Sequence, residues 1–322
     1  MERILNYTIS AADEGMIVLD FLRKQGFSRH ILTAMKADRE ALSLNGQKAG
    51  GRTVLSCGDH FRVRLLETVP ADGILPTPLN IPVLYEDEDI LVVNKPADMP
   101  VHPSLGNYTN TLANGVAAYL ETKGESCPFR CINRLDRDTS GALILAKNAL
   151  SAAILSVQMR NRQISRTYLA VVEGIPRQSG TISAPISRAA DSVIERRIDF
   201  ENGESAITHY QLLEVKNNHS LLEIHLETGR THQIRVHMKH IGHTLFNDER
   251  YGGHEILKGT HFSKYKQFVN NCFEICPRQA LHAKTLGFVH PRTGEEMFFT
   301  SELPEDMTCL LERWRTYISN RE

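Results

Sequence analysis

Three short polar clusters carry residue types that could do chemistry, and each lies against an apolar segment. Asn133-Arg134-Leu135-Asp136-Arg137-Asp138-Thr139-Ser140-Gly141 places four charges just ahead of the apolar run Ala142-Leu143-Ile144-Leu145-Ala146. A carboxylate beside a buried strand is costly unless it is paired. Asp136 and Asp138 are therefore candidates for acid–base or nucleophilic work, although a solvated turn whose Asp and Ser cap backbone groups would use the same residues. Leu226-Glu227-Thr228-Gly229-Arg230-Thr231-His232-Gln233-Ile234-Arg235 ends a strand, turns at Gly229 and offers Arg230, Thr231, His232 and Gln233 as donors in a row. A plain polar loop would read the same way. Arg166-Thr167-Tyr168-Leu169-Ala170 opens a strand with a Tyr, which packing alone usually explains.

The elements that must hold these clusters follow from periodicity and turn chemistry. Ala142–Ala146 reads as a fully buried strand, Leu150 to Met159 as a helix, and Tyr168 to Val172 as a strand. Strands are also expected at Ile81–Tyr85, Ile90–Asn94, Ile207–Leu213 and Leu221–Leu226, and a helix over Asn110–Leu120. Gly287–His290 and Glu296–Phe299 should form a hairpin, followed by a last helix over Pro304–Ser319. Thr68 to Asn80 holds three Pro and a Gly, a density no helix or central strand survives, so it reads as a linker.

Ahead of the linker, residues 1–67 read as a small unit. Two short helices flank Gly26-Phe27-Ser28-Arg29, with Ser28 as the cap of the second. A strand at Ala41–Leu44 follows, closed by the turn Asn45-Gly46, and then an alternating strand at Phe61–Leu65 with Arg62 and Arg64 on its polar face. Strands outnumber helices. The fold class is therefore α+β, with a mixed, mainly antiparallel sheet over 81–322 and a small α+β unit before it.

Composition narrows the function. The chain has 322 residues, 41% of them hydrophobic and 23% charged, an ordinary globular mix that excludes disorder or a coiled coil as its dominant state. Net charge is -1, from 37 basic and 38 acidic residues, so polyanion binding over the whole surface is excluded while a local basic groove is not. Between Pro128 and Ala170, Arg130, Arg134, Arg137, Lys147, Arg160, Arg162 and Arg166 face only Asp136 and Asp138. Six Cys are too few for a disulfide scaffold, no apolar signal core opens the sequence, and no run of eighteen apolar residues exists. A cytoplasmic location is the default expectation. Cys127-x-x-x-Cys131, Cys272-x-x-x-Cys276 and the His-rich stretch His232, His237, His240 and His243 keep a zinc site open, and Asp136 with Asp138 keeps a two-carboxylate hydrolase open. No phosphate-binding Gly loop or dinucleotide fingerprint is present, so no cofactor is expected.

Taken together, the three clusters resemble the signature segments of the RluA-type pseudouridine synthases, which isomerise uridine in structured RNA. Arg134 to Gly141 matches Arg-Leu-Asp-x-x-Thr-Ser-Gly. Arg166, Tyr168 and Ala170 match a basic residue followed by x-Tyr-x-Ala. Thr228 to Arg235 matches Thr-Gly-Arg-x-His-Gln-Ile-Arg. Further resemblance lies in Tyr85-Glu86-Asp87, Asn94-Lys95-Pro96-Ala97, Gly242-His243 with Asp248, and Arg278 to Ala283, in family order from about Ile81 to Leu303. The sequence departs where Asn133 replaces the common His, Asp98 a usual Gly and Thr244 a common Pro, and His254 to Ile275 looks like a longer connection. The first 67 residues resemble the small RNA-binding domain named after ribosomal protein S-four, through Ser28-Arg29, Asn45-Gly46 and Gly58-Asp59.

The resemblance implies breakage of the uracil–ribose bond, rotation of the base and rejoining through a ring carbon, on a nucleotide extruded from ribosomal or transfer RNA. It implies Asp136 as the ionised acid that attacks the sugar or removes a sugar proton, with Arg230 beside it as ion-pair partner and Tyr168 stacked on the base. RNA contacts are expected from Arg134, Arg137, Thr139, Arg166, His232 and Gln233, with Arg29, Arg62 and Arg64 extending the basic track onto the small unit. A monomer without metal or nucleotide cofactor is expected; the alternative is a non-catalytic RNA-binding protein.

Overall fold

The computed structural model describes residues 2–67, 73–256 and 263–317. The first of these segments builds a four-stranded sheet. It holds β1 (Glu2–Thr8), α1 (Val18–Lys24), α2 (Arg29–Ala34), β2 (Leu42–Leu44), β3 (Gln47–Lys48) and β4 (His60–Leu66), with strand order β1-β4-β2-β3. Ser28 caps α2, its hydroxyl accepting from the Ile31 N–H at 3.4 Å. Asn45 and Gly46 both take positive φ in the turn between β2 and β3. β1 has no counterpart among the sequence expectations: its burial alternates, but Glu2, Arg3 and Asn6 dilute the apolar signal.

The remaining elements are β5 (Val83–Glu86), β6 (Ile90–Lys95), α3 (Leu112–Thr122), β7 (Ser140–Ala146), α4 (Ala149–Arg160), β8 (Ser165–Glu173), β9 (Ser179–Ser183), β10 (Ile186–Arg188), β11 (Arg196–Ile198), β12 (Ile207–Lys216), β13 (His219–Leu226), α5 (Gln233–His240), α6 (Ser263–Ile275), β14 (Leu281–Val289), β15 (Glu296–Thr300) and α7 (Glu305–Thr316). The large sheet runs β5-β6-β7-β14-β8-β13-β12-β9, with β15 also on β14. Every pairing in it is antiparallel except β7 with β14. The α+β class with a mixed, mainly antiparallel sheet holds. All seven positions of β7 are buried, as its unbroken apolar run requires.

Residues 73–80 form no helix or strand, while 68–72 of the expected linker, 257–262 of the long connection, and Ile318 and Ser319 of the last helix lie outside the described residues. The long connection contains α6, whose Tyr265, Phe268, Val269 and Cys272 pack with Met307, Leu310, Leu311 and Trp314 of α7. Its sequence yielded no expectation of a helix. Nor did that of α5: Ile234, Met238 and Ile241 share one face against the main core, but the polar Gln233, Arg235 and His237, buried as well, interrupt them and make the short segment read as a polar turn.

The two sheets meet at α4. Leu150 joins the small unit's core, with Ala149, Ala153 and Ile154 packed against it, while Leu155 packs beneath the large sheet. A Cβ on Gly26 would lie 2.5 Å from Ile154, so that close approach requires glycine. Arg3 pairs with Asp89 and Arg130 with Glu67, each at 2.7 Å, and the Arg292 guanidinium lies 5.0 Å from the centre of the Tyr7 ring.

Candidate active site

The segment before β7 is shaped by its backbone. The Asn133 side-chain oxygen accepts from the Ile144 N–H at 3.0 Å, which ties the segment to β7. An amide thus does this local work where the family commonly has His. Leu135 is buried in the main core, which leaves Arg134 exposed and Asp136 partly exposed on either side of it. Beyond them, the Arg137 carbonyl accepts from Lys95 Nζ and the Met99 N–H, at 2.9 and 3.1 Å, and the Asp138 carbonyl accepts from Arg278 at 2.8 Å. Lys95 is completely buried and also donates to the carbonyls of Pro96 and Met99, so three acceptors match its three ammonium protons. Burial pulls its pKa down to about 7. Asp98 takes φ 55, the left-handed conformation that a Gly adopts freely and an Asp tolerates, and pairs with Arg137. Gly141 has φ 120, and a Cβ there would lie 2.2 Å from the Ala283 carbonyl oxygen, so β7 can pair with β14 only with glycine at this position.

The second segment is organised by Gln233. Its side-chain oxygen accepts from the Thr228 hydroxyl and the Arg230 N–H, and its amide donates to the Ile207 carbonyl and the Thr208 hydroxyl. Gln233 is buried, and these bonds occupy its amide: it braces the turn, whereas the sequence suggested a substrate contact. His232 follows the turn in a left-handed conformation, φ 58, at the N-cap position of α5, where its side chain makes no capping bond. Gly229 lets the Arg166 guanidinium approach; a Cβ there would lie 2.8 Å from Nη1.

The expected ion pair is not the one formed. Arg230 extends to Glu204 and to the Ser205 carbonyl, on the segment between β11 and β12. Asp136 instead meets Arg235, Nη1 to Oδ2 at 3.2 Å, from within α5. The reason is local: Arg235 lies inside the helix on its buried side, whereas Arg230 precedes the helix and turns outward. Arg235 also grips the fully buried Asp248 through two bonds of 2.7 and 2.8 Å, and its guanidinium lies 4.9 Å from the centre of the Tyr251 ring. His232 Nε2 is 3.9 Å from the same Asp136 oxygen. Burial lowers the pKa of His232, which favours its neutral form.

Asp136 opens onto a cleft of about 810 Å³. Arg134, Arg137, Arg160, Arg162, Arg166, Arg230 and Arg235 line it, against the carboxylates Asp136 and Glu227. Tyr168, Thr139, His232 and Gln233 line it as well. Of the basic residues counted between Pro128 and Ala170, Arg130 and Lys147 are turned away, onto Glu67 and onto Glu86 with Glu125. Tyr168 sits on β8 opposite Ile224 and Ala283 and is buried, which pushes its phenol pKa above the ordinary range and disfavours work as a base. Arg29 and Arg62 are exposed on the small unit, outside the cleft lining, whereas Arg64 is taken up by Asp38 and Glu40.

Two chemical readings fail on placement. Asp138 does not line the cleft, so the two carboxylates do not share one site as a hydrolase pair. Among the described residues, the cysteine pairs do not assemble a metal-binding cluster; Cys131 donates to the Asn133 carbonyl and Cys276 to the Arg278 carbonyl. The group of ligand types that does assemble, Asp87, Asp89 and His290, is spent on hydrogen bonds from Tyr85, Ser151, Asn148, Arg3 and backbone N–H groups.

The family model described as RNA pseudouridylate synthase matches residues 89–240, which contain Asp136, Tyr168 and Arg235. A Chlorobaculum parvum protein described as an uncharacterized RNA pseudouridine synthase is 43% identical over 276 residues, 83% of each chain. A Bacillus subtilis protein of the same description is 36% identical over 298 residues, 92% of this chain and 99% of the relative. Ribosomal large subunit pseudouridine synthase D of Zymomonas mobilis is 38% identical over 278 residues, 81% of this chain and 83% of that one. The solved structure of human RNA pseudouridylate synthase domain containing 4 shares the fold, with a TM-score of 0.59 at 24% identity over 74% of this chain and 95% of that one. The chain therefore belongs to the RluA-type family of RNA pseudouridine synthases, enzymes that isomerise uridine within RNA.

Proposed function

We propose that this enzyme modifies a uridine of ribosomal RNA with Asp136 as its reacting acid. The observation that carries the reading is the Asp136 carboxylate, held by the buried Arg235 guanidinium and opening onto a cleft that six further arginines line. Relatives described as large ribosomal subunit pseudouridine synthases favour ribosomal over transfer RNA. Arg134, Arg137, Arg160, Arg162 and Arg166 would hold the phosphates around an extruded nucleotide. Arg134 would fill the space the base leaves. Tyr168 and Thr139 would lie against the base and sugar.

Arg230 has a different role in this reading from the one its motif suggested. Glu204 is largely exposed, so an RNA phosphate can take its place on the Arg230 guanidinium. The small N-terminal unit over 1–67, joined through 68–80 to the catalytic domain over 81–322, would add a second RNA contact around Arg29. The protein would act as a cytoplasmic monomer without a cofactor.

Deleting the gene and mapping pseudouridine across ribosomal and transfer RNA tests the substrate: loss of one ribosomal site is expected, and loss confined to transfer RNA overturns the assignment. Asp136→Ala should abolish product, a fall of at least about a thousandfold in rate for loss of the reacting group, while RNA retention on a filter is largely kept. Product formation by this variant would overturn the role of Asp136.

A further inference from the structure

The two oxygens of Asp136 are treated differently. Oδ2 receives Arg235 Nη1 at 3.2 Å and faces His232 Nε2 at 3.9 Å. Oδ1 accepts no hydrogen bond among the described residues. On its other side, His232 meets the Tyr251 hydroxyl, Nδ1 to oxygen at 2.7 Å. That hydroxyl oxygen already accepts from the Arg196 N–H at 3.0 Å, and among the described residues its own proton has His232 Nδ1 as its acceptor. A ring nitrogen that accepts cannot also carry the proton, so in the neutral imidazole the proton sits on Nε2, facing the carboxylate. The left-handed backbone at His232 and the edge-on contact of the two rings, 5.6 Å between centroids at 86°, fix the direction of that N–H.

We propose that His232 is a positioning residue, held by the Tyr251 hydroxyl in its Nε2–H form, which with Arg235 anchors Oδ2 of Asp136 and leaves Oδ1 to meet the ribose. The 3.9 Å separation closes to a hydrogen bond when the nucleotide excludes water from the cleft. The inference rests on Asp136 being the reacting acid.

The test uses three substitutions in the full-length enzyme and, as substrate, uridine-tritiated ribosomal RNA from cells lacking the gene, with release of ring-carbon tritium as the readout. His232→Gln keeps a donor where Nε2 stands; His232→Met has similar bulk and the same backbone cost without the donor. His232→Met should lower kcat by about ten- to a hundredfold, as expected for loss of a hydrogen bond to a charged group. His232→Gln should restore most of that rate, and KM for RNA should be unchanged in both. Tyr251→Phe should lower kcat by roughly three- to tenfold in the His232 enzyme and cost nothing further beside His232→Gln, because an amide needs no tautomer to be chosen.

Equal losses in His232→Gln and His232→Met, or a rise in KM as the main effect, would overturn the assignment. So would an undiminished Tyr251→Phe effect beside His232→Gln, which would make Tyr251 a packing residue. Asp136→Ala, run alongside, separates the two levels: if it retains activity the underlying reading fails, and if it is inactive while the His232 variants behave alike, only this inference fails.

Discussion

Arg235 serves two carboxylates with one guanidinium. Its two bonds to Asp248 fix the plane of the fork, and the remaining Nη1 bond reaches Asp136. Asp248 is completely buried, so removing its partner strands a charge in the interior. Arg235→Met should therefore cost about 3–5 kcal/mol of stability, the usual penalty for breaking a buried pair from one side, read as a shift in the thermal unfolding midpoint. Arg235→Lys should remain inactive even where it folds, because an ammonium cannot reproduce the planar fork. Recovery of full rate by the Lys variant would show that charge alone suffices. Tyr168 and Asp136 need the same precision from different sources: the Tyr is fixed by strand register, the Asp by a loop whose carbonyls are pinned by Lys95 and Arg278.

At the scale of elements, α4 joins the two halves of the molecule. Asn148 caps it, accepting from the Ser151 N–H at 2.8 Å. Leu150 enters the small unit's core, Leu155 enters the core beneath the large sheet, and Arg160 at its last turn lines the cleft. One helix thus sets where the small sheet stands relative to the arginines of the cleft. Leu150→Ala should destabilise by about 2–4 kcal/mol, as a large-to-small change in a packed site does. The loss should appear first as faster amide exchange in β1 and β4, since those strands share the Leu150 cluster. Faster exchange confined to the large sheet would contradict this division of the core.

For the molecule as a whole, near-neutral net charge conceals a separation of charge. Seven arginines gather in the cleft; Asp98, Glu227, Glu204 and Asp248 pair with Arg137, Arg162, Arg230 and Arg235 there, while other acids are structural partners away from it. Glu86 shows the pattern. Burial works to raise its pKa, but hydrogen bonds from Lys123, Lys147 and Tyr119 outweigh this and hold it at about 2. Its folded pKa lies below the ordinary value of 4.5, so the stabilisation is fully present above pH 4.5 and is lost as pH falls toward 2. The loss amounts to about 3 kcal/mol at 1.36 kcal/mol per pKa unit. Glu86→Gln should flatten unfolding free energy against pH in that window, and an unchanged slope would count against the assignment.

The sequence by itself marked the segments that line the cleft: local composition put charged turns beside buried strands, and the joint resemblance of three clusters to one family singled out β7 with Asp136, β8 with Tyr168 and the turn after β13. The turn chemistry at Ser28 and Asn45-Gly46 was legible too. What it could not determine was the partner of Asp136. Arg230 and Arg235 lie in one motif, five residues apart, and either could reach a carboxylate in an extended reading. Only the tertiary structure decided between them. Buried polar residues mask the short apolar stripe of α5, yet that helix turns Arg235 inward, while Glu204, twenty-six residues before Arg230, draws it out. Partnerships of this kind rest on distances that a folded chain creates, and no spacing along the sequence contains them.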